Sequence, residues 1–255
     1  MIFLRKIKIL DPQKSYVLMD FDRTITSESS TSTWGLFEES EFVDPNYASA
    51  SLELYKKYRP IELNHQMSFD EKSKHMEDWH RQVGGLLNKY HIYDETIEKI
   101  LSNSHGMKLR KGADNFLEQM HMLGVPVIIV SAGLGEFIVR YLQRERLLFD
   151  NITVHANFFV FEDGKIMGIK QPIIHPLNKF QLDYSDIIGN RETGLLFGDQ
   201  VEDCEMGRGL ETLDIGFCNL EIHNLEAYKS KFDIVLTGES SYDEIGRVLV
   251  KGYKG

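Results

Sequence analysis

The chain is poor in cysteine. Only Cys204 and Cys218 occur among its 255 residues. They show neither the CxxC spacing of a redox or zinc site nor the dense, even-numbered pattern of a disulfide-stabilised secreted domain. We therefore expect two reduced thiols and a cytoplasmic protein.

Long apolar runs and a surplus of basic residues are also missing. No run approaches the roughly 20 residues that a membrane-spanning helix needs, and the opening segment MIFLRKIKIL carries charges from Arg5 onward without a small-residue cleavage site. The formal net charge is -10, with no sustained stripe of lysine and arginine. Neither a nucleic acid polymer nor a membrane is therefore expected as partner, although a local basic pocket could still bind a small anion.

The composition, with 42% apolar and 11% aromatic residues, suffices for a full-sized core. Folding therefore need not depend on association, and we expect a monomer or weak oligomer. Four short apolar runs, each followed by small or acidic residues, resemble strands buried on both faces of a parallel sheet; they lie at 16–20, 125–133, 194–199 and 232–238. Helix-period stretches separate them, as between Ala113 and Leu123, where Gly124 supplies a stop. The pattern predicts an α/β, doubly wound, mostly parallel sheet.

Two segments depart from this alternation. Residues 33–105 hold aromatic and charged residues at helical spacing without a convincing buried strand, which predicts an inserted helical cap. The α/β core would then comprise residues 1–32 and 106–255. In ANFFVFEDGKIMGIK, Asp163-Gly164 separates two alternating segments and predicts a β-hairpin with a type I′ turn.

Acidic residues follow the first predicted strand in DFDRT, where Asp20 and Asp22 stand two positions apart. At a strand end, two such carboxylates can converge on one site, and their desolvation and repulsion are costly unless a cation or a reaction uses them. A pair that merely caps a loop is an equally acceptable interpretation of this motif alone.

Polar side chains also stand at or after the later strand ends. Ser131 in SAG, together with nearby backbone N–H groups, could face an anion, or the segment could be only a tight turn. Asp199 and Asp203 in GDQVED offer the hard oxygen ligands that Mg²⁺ prefers, although Asp203 could instead cap a helix. Lys179 offers the positive charge that a phosphoryl group needs, or is a surface lysine.

This order of groups, an acidic pair, a hydroxyl, a lysine and a second acidic pair, resembles the four motifs of the haloacid dehalogenase superfamily. The second aspartate of DxDxT is typical of its phosphatases. Over nearly its whole length the chain further resembles the cytosolic 5'-nucleotidase III family, the pyrimidine 5'-nucleotidases. The matching segments include DFDRTIT, KYRPIE, SFDEKSKHMEDW, KGADNFLEQM, VPVIIVSAGLGEFI, ANFFVFEDG, IIHPLNK, GDQVED and FDIVL.

The resemblance implies a role for each matching position. Asp20 would be the nucleophile and Asp22 the general acid, with Asp20, Asp22 and Asp199 holding Mg²⁺. Ser131, the backbone of Ala132, and Lys179 would bind the phosphate. Glu62 would contact the nucleoside, and Thr24 and Asp203 would support the motifs.

The implied activity is Mg²⁺-dependent hydrolysis of UMP or CMP through an aspartyl-phosphate. Val83 stands where some family members place a serine that contacts a methylated guanosine nucleotide. This departure argues against hydrolysis of that nucleotide. Aromatic cap residues could close over a base or belong to the cap core; they are Tyr55, His65, Trp79 and His80. Two alternatives remain: a superfamily phosphatase for phosphoserine or a sugar phosphate, and a non-catalytic phospholigand-binding protein.

Overall fold

The computed structural model describes residues 3–4, 11–62, 64, 66–219 and 225–245. One sheet dominates it, with strand order β1-β9-β8-β7-β2-β3-β4, and only the short β1 runs antiparallel to its neighbour. Its strands are β1 (Phe3–Leu4), β2 (Ser15–Met19), β3 (Val127–Leu134), β4 (Ile152–Asn157), β7 (Thr193–Gly198), β8 (Thr212–Cys218) and β9 (Ile234–Thr237). A separate antiparallel hairpin consists of β5 (Phe159–Glu162) and β6 (Lys165–Ile169).

Helices occupy both faces of the sheet and the segment between β2 and β3. They are α1 (Thr33–Glu38), α2 (Pro45–Glu62), α3 (Phe69–Lys89), α4 (Asp94–Asn103), α5 (Ala113–Met122), α6 (Gly135–Arg144), α7 (Ser185–Ile188) and α8 (Leu225–Lys231). Within the described part of the chain, no helix combines the length and the apolar character that crossing a membrane requires.

Alternation along β2 explains why the sheet is covered on both faces. Val17 and Met19 belong to an apolar cluster with α5 and α6, whereas Tyr16 and Leu18 belong to a second cluster with α7 and α8. Successive strand residues point to opposite faces, so a strand that is apolar at every position needs a layer on each side. The doubly wound, mostly parallel sheet is thus confirmed.

All four predicted strands are present, as β2, β3, β7 and β9, and the predicted helix appears as α5. The strands β1, β4 and β8 were not predicted. β4 is an edge strand whose side chains are mostly only partly buried, and β8 is interrupted by Asp214 and Gly216, so neither shows a continuous apolar run.

The range 33–105 holds α1 to α4. These helices share an apolar cluster with α6 and the hairpin, including Phe37, Phe137 and Phe159. Because the cluster is continuous across these elements, packing draws no sharp line between a cap at 33–105 and a core at 1–32 and 106–255. That division stays a prediction.

Candidate active site

The sheet brings the predicted site residues to one edge. Asp20 directly follows β2, Ser131 lies within β3, and Asp199 directly follows β7. β2 lies between β3 and β7, with Met19 paired to Ile129 on one side and Phe197 on the other. Because the three strands are parallel, their carboxyl ends meet at one edge, where α/β proteins bind ligands.

Lys179 begins a 3₁₀ turn, Lys179–Gln181, and its side chain contacts Asp20 at this edge of the sheet. Its ammonium lies 2.5 Å from Asp20 Oδ1 and 2.7 Å from Asp203 Oδ1. Burial alone would lower the pKa of Lys179, but the two carboxylates outweigh that effect and raise it above the ordinary lysine value. Lys179 is therefore a buried cation, and the surface interpretation of this residue is wrong.

The carboxylates form a buried acidic cluster. Asp20, Asp199 and Asp203 each offer an oxygen, and these oxygens lie within 4.8 Å of one another. Burial raises the pKa of Asp20 well above its usual range; Lys179 lowers it, and Asp203 and Asp199 raise it further. Burial and the charge of Asp203 raise the pKa of Asp199 to about 7.

This donor set fits a hard divalent cation. Carboxylate oxygens are the ligands that Mg²⁺ prefers, and a cation beside three buried, mutually repelling carboxylates would favour their ionised forms. Asp203, expected only as a supporting residue, is part of the cluster.

Asp203 also has the helix-capping role considered for it. Its Oδ2 accepts hydrogen bonds from the backbone N–H of Asp199, at 3.1 Å, and of Gln200, at 2.9 Å, at the start of the 3₁₀ helix Val201–Gly207. The same side chain thus shapes the backbone around Asp199 and pairs with Lys179. The capping interpretation is confirmed, and the cation-ligand interpretation of Asp203 stays a prediction.

Asp22 lies in the irregular turn Phe21–Ile25. Its carboxylate accepts hydrogen bonds from the backbone N–H of Thr33, at 3.1 Å, and from the Thr33 hydroxyl, at 3.2 Å. Burial raises the pKa of Asp22 to about 6, although the Thr33 hydrogen bonds lower it. The side chain can therefore hold a proton near neutral pH and also lose it.

Ser131 and Asp22 approach each other at Gly133. A Cβ added to Gly133 would lie 2.3 Å from Thr33 Oγ1, 3.0 Å from Asp22 Oδ2 and 3.1 Å from Ser131 Oγ. Gly133 N–H donates to Ser131 Oγ at 3.0 Å. Glycine is thus the residue that lets these three polar groups share one small space.

The backbone of Ala132 is held from two sides. Its carbonyl accepts hydrogen bonds from Trp34 Nε1, at 3.1 Å, and from Asn157 Nδ2, at 2.8 Å. Both donors therefore fix the β3 end, and Trp34 belongs to α1. Thr24 is fully buried, and its hydroxyl has no hydrogen-bond partner among the described residues.

Glu62 ends α2 and pairs with Arg59. Burial lowers the pKa of His80, and the nearby Glu62 charge partly offsets that effect. The His80 ring lies 6.2 Å from the Trp34 ring and 6.4 Å from the His175 ring, measured between centroids. Glu62 thus lies near His80, whose ring neighbour Trp34 donates to the Ala132 carbonyl at the β3 end.

The other aromatic cap residues make a stack. Trp79 stacks on Tyr58 with centroids 5.8 Å apart, and Tyr55 contacts the Trp79 edge from a half-exposed position. His65 lies outside the described residues. Trp79 also packs against the apolar cluster that includes Phe37, Phe137 and Phe159, here called the apolar cap cluster. Core packing therefore explains the position of part of this aromatic group.

Two buried polar residues near the site were not predicted from the sequence. Arg110 precedes α5, and its guanidinium contacts the turn that contains Asp22; Asn219 follows β8 and approaches Asp199. Arg110 stands in a polar stretch before a helix, and Asn219 follows β8, a strand that has no continuous apolar run. No local signal separates either from an ordinary surface residue.

Comparison with known proteins identifies the family to which the chain is related. A family model described as pyrimidine 5'-nucleotidase (UMPH-1) matches residues 20–251. The 7-methylguanosine phosphate-specific 5'-nucleotidase of Drosophila melanogaster is 30% identical over 249 residues, which cover 91% of this chain and 78% of that protein. A putative cytosolic 5'-nucleotidase 3 of Caenorhabditis elegans is 29% identical, over 96% of this chain and 71% of its own.

Solved structures agree with this assignment. A crystal structure of cytosolic 5'-nucleotidase IIIB bound to cytidine superposes with a TM-score of 0.84 at 30% identity, covering 94% of this chain and 86% of that one. A substrate-bound phosphoserine phosphatase superposes with a TM-score of 0.59 at 22% identity, over 92% and 97% of the two chains, a likeness that shows the fold alone. The chain therefore belongs to the pyrimidine 5'-nucleotidase (UMPH-1) family and is a phosphomonoester hydrolase.

Proposed function

We propose that this enzyme is a Mg²⁺-dependent 5'-nucleotidase that converts UMP or CMP to nucleoside and phosphate, with Asp20 as the covalent nucleophile. The observation that carries the proposal is the buried group formed by Asp20, Lys179, Asp203 and Asp199 at the carboxyl ends of parallel strands. A buried group that holds a lysine ammonium and several carboxylates, in a chain of this family, is suited to binding a phosphoryl group and a cation.

In the first half-reaction, an Asp20 oxygen attacks phosphorus as the bond to the ribose 5'-oxygen breaks. Asp22 donates its proton to that departing oxygen, which its pKa of about 6 permits. Thr33 holds the Asp22 carboxyl in place through two hydrogen bonds. The products are nucleoside and an aspartyl-phosphate on Asp20.

In the second half-reaction, the ionised Asp22 takes a proton from water, which attacks phosphorus and releases Asp20. Lys179, Ser131 and the Ala132 backbone bind the phosphoryl oxygens in both halves. Asp20 and Asp199 of the buried cluster, together with Asp22 as the resemblance implies, would hold a Mg²⁺ ion, which would further stabilise the charge on those oxygens. Asp203 supports this set through Lys179 and the Asp199 backbone.

The preference for pyrimidine nucleotides rests on two comparisons. The matching family model is described as pyrimidine 5'-nucleotidase, and the related cytosolic 5'-nucleotidase IIIB binds cytidine in its crystal. A second candidate substrate is 7-methylguanosine monophosphate, after which several relatives are named. Against it, Val83 is 4% exposed within the apolar cap cluster and has no hydrogen-bonding side chain.

A cytosolic location accompanies the proposal. It is supported by a relative named as a putative cytosolic 5'-nucleotidase.

Phosphate release from a substrate panel tests the proposal. The panel comprises CMP, UMP, 7-methylguanosine monophosphate, AMP, phosphoserine and a sugar phosphate, each with MgCl₂ or EDTA. We expect the highest kcat/KM with CMP or UMP, loss of activity in EDTA, and recovery with MgCl₂. Asp20→Asn should lower kcat by about four orders of magnitude or more, because it removes the nucleophile.

The matched control is Asp186→Asn, an exposed aspartate on α7, which should leave kcat unchanged. Undiminished hydrolysis by Asp20→Asn would refute the covalent mechanism. Preference for phosphoserine or the sugar phosphate would favour another phosphatase of the superfamily. Nucleotide binding without any phosphate release would favour a phospholigand-binding protein.

A further inference from the structure

Arg110 is a buried cation that the reaction above leaves without a role. Only 2% of its surface is exposed. Its guanidinium also lies over the Phe217 ring, with Cζ 4.1 Å from the ring centroid. Burying an arginine is costly unless its donors are satisfied, so its hydrogen-bond partners indicate what it stabilises.

On one side, Arg110 holds the turn that carries Asp22. Its Nε donates to the Thr24 carbonyl at 3.1 Å, and Nη2 donates to the Arg23 carbonyl. Arg23 has a left-handed backbone with φ of 58°, which is uncommon for a residue with a side chain. Donors on two successive carbonyls therefore stabilise an unfavourable turn immediately after Asp22.

On the other side, Arg110 orients Asn219. Nη2 donates to Asn219 Oδ1 at 3.1 Å, which leaves the amide Nδ2 of Asn219 to face Asp199 Oδ2 at 3.5 Å. Asn219 is itself buried, 6% exposed. Because the guanidinium can only donate, it decides which end of the Asn219 amide points toward Asp199.

Nη1 donates to the Ser240 carbonyl at 3.2 Å, which ties the segment after β9 to the same cation. Three chain segments that lie far apart in sequence thus converge on one guanidinium. Lysine could not reproduce this arrangement, because it offers a single point of donation in place of a planar fork.

We propose that Arg110 is a positioning residue that, through Asn219 and the Arg23–Thr24 carbonyls, sets Asp199 and the Asp22 turn in the geometry required for cation binding and phosphoryl transfer. This inference rests on the proposed function, and it adds a residue that touches neither substrate nor cation. Partners that orient metal ligands commonly change metal affinity or activity about 10- to 100-fold when they are removed.

The test compares Arg110→Met, Asn219→Ala and the double variant with wild type. Mg²⁺ affinity is measured by titration calorimetry with MgCl₂ alone, and kcat and KM are measured with CMP at saturating MgCl₂. We expect Arg110→Met to weaken Mg²⁺ binding and to lower kcat by about tenfold or more, with KM changed by less than about threefold. The double variant should lose less Mg²⁺ affinity than the product of the two single losses, since the residues act together.

Leu117→Ala is the matched control for lost stability. Leu117 is fully buried on α5 in the apolar cluster, so its truncation lowers the melting temperature without touching these contacts. At a temperature where all variants are folded, it should keep wild-type Mg²⁺ affinity and kcat within about twofold. Arg110→Lys serves if Arg110→Met does not fold; keeping the charge without the fork, it should still weaken Mg²⁺ binding.

Wild-type Mg²⁺ affinity and kcat in the folded Arg110 variants would overturn the inference. A double variant whose loss of Mg²⁺ affinity equals the product of the losses in the two single variants would also overturn it. The proposed function is tested separately. A wild-type protein that binds Mg²⁺ but hydrolyses no nucleotide would refute that function, and the calorimetric comparison of the variants could still be interpreted.

Discussion

At the scale of single residues, burial decides how the acidic side chains behave. Asp22 and Asp199 both have raised pKa values for this reason, and both lie at the proposed site. Asp214 is another such carboxylate; it lies within β8, which β7 separates from β2, and it pairs with Leu196 of β7. Burial and the charge of Asp233 raise its pKa to about 6, and its Oδ1 has no hydrogen-bond partner among the described residues.

Asp214→Asn should therefore stabilise the protein in a pH-dependent way. The pKa of Asp214 is higher in the folded than in the unfolded state, so its ionised form opposes folding; this penalty grows between about pH 4 and 6 and is complete above. Allowing for partial exposure, we expect a gain of about 1–2 kcal/mol in the free energy of unfolding at pH 8 and no gain at pH 4. Urea denaturation at both pH values measures it.

The exposed Asp186→Asn variant is again the control, since a substitution at an exposed position should change the free energy of unfolding by less than about 0.5 kcal/mol. An equal gain at both pH values would mean that ionisation of Asp214 is not the cause. Asp214, Glu211 and Asp233 also line a cavity of about 370 Å³, and the residues that line it include none of those assigned to the proposed active site.

At the scale of elements, the β5–β6 hairpin connects the core sheet with the cap helices. Phe159 and Ile166 are fully buried in the cap cluster. Asp163 and Gly164 have φ values of 48° and 77°, as the predicted type I′ turn requires. The Gly164 carbonyl accepts a hydrogen bond from Asp94 N–H at 2.8 Å, so the turn also satisfies the amino terminus of α4.

Gly164→Ala should destabilise the protein by about 1 kcal/mol, because alanine tolerates a left-handed backbone poorly. Gly85→Ala, inside α3 with open space around the glycine, is the matched control and should stabilise by about 0.5–1 kcal/mol. Thermal unfolding of both variants beside wild type measures the two effects. A neutral or stabilising Gly164→Ala would contradict the role given to the turn.

At the scale of the whole molecule, the site depends on contacts between the cap helices and the sheet. Thr33 of α1 holds Asp22 and also accepts a hydrogen bond from Leu134 N–H at 2.9 Å. Ser73 of α3 lies 3.3 Å from His175 Nε2, shortly before Lys179 in the chain. Residues of the cap thus help to position groups at the sheet edge, and we propose that the cap contributes specificity through Glu62.

Glu62→Ala should raise KM for CMP by about tenfold or more while changing KM for p-nitrophenyl phosphate by less than about twofold, because only the nucleotide has a nucleoside to contact. Glu53→Ala, which removes another glutamate from α2 at an exposed position, is the control and should change neither constant. Steady-state kinetics with both substrates measures the difference. Equal effects on the two substrates would refute a nucleoside contact.

Local pattern was sufficient wherever the physical signal is local. Buried strands show as apolar runs, a type I′ turn shows as Asp-Gly, and parallel strands place their carboxyl ends together, so Asp20, Ser131 and Asp199 were predicted to converge. The edge strand β4 and the interrupted strand β8 lack such runs. Their place in the sheet comes from pairing with β3, β7 and β9, which depends on the rest of the chain.

By itself, the sequence determined the four most apolar strands, the helical character of residues 33–105, the hairpin and the identity of the acidic residues at the strand ends, since each follows from short-range periodicity or spacing. Only the tertiary structure decided that Lys179 pairs with Asp20 and Asp203, that Thr33 holds Asp22, and that Arg110 joins three distant segments. The physical reason is that burial and charge pairing depend on which segments meet in space. In the sequence, a lysine or an arginine in a polar stretch gives no indication of whether it will be buried or paired in the folded chain.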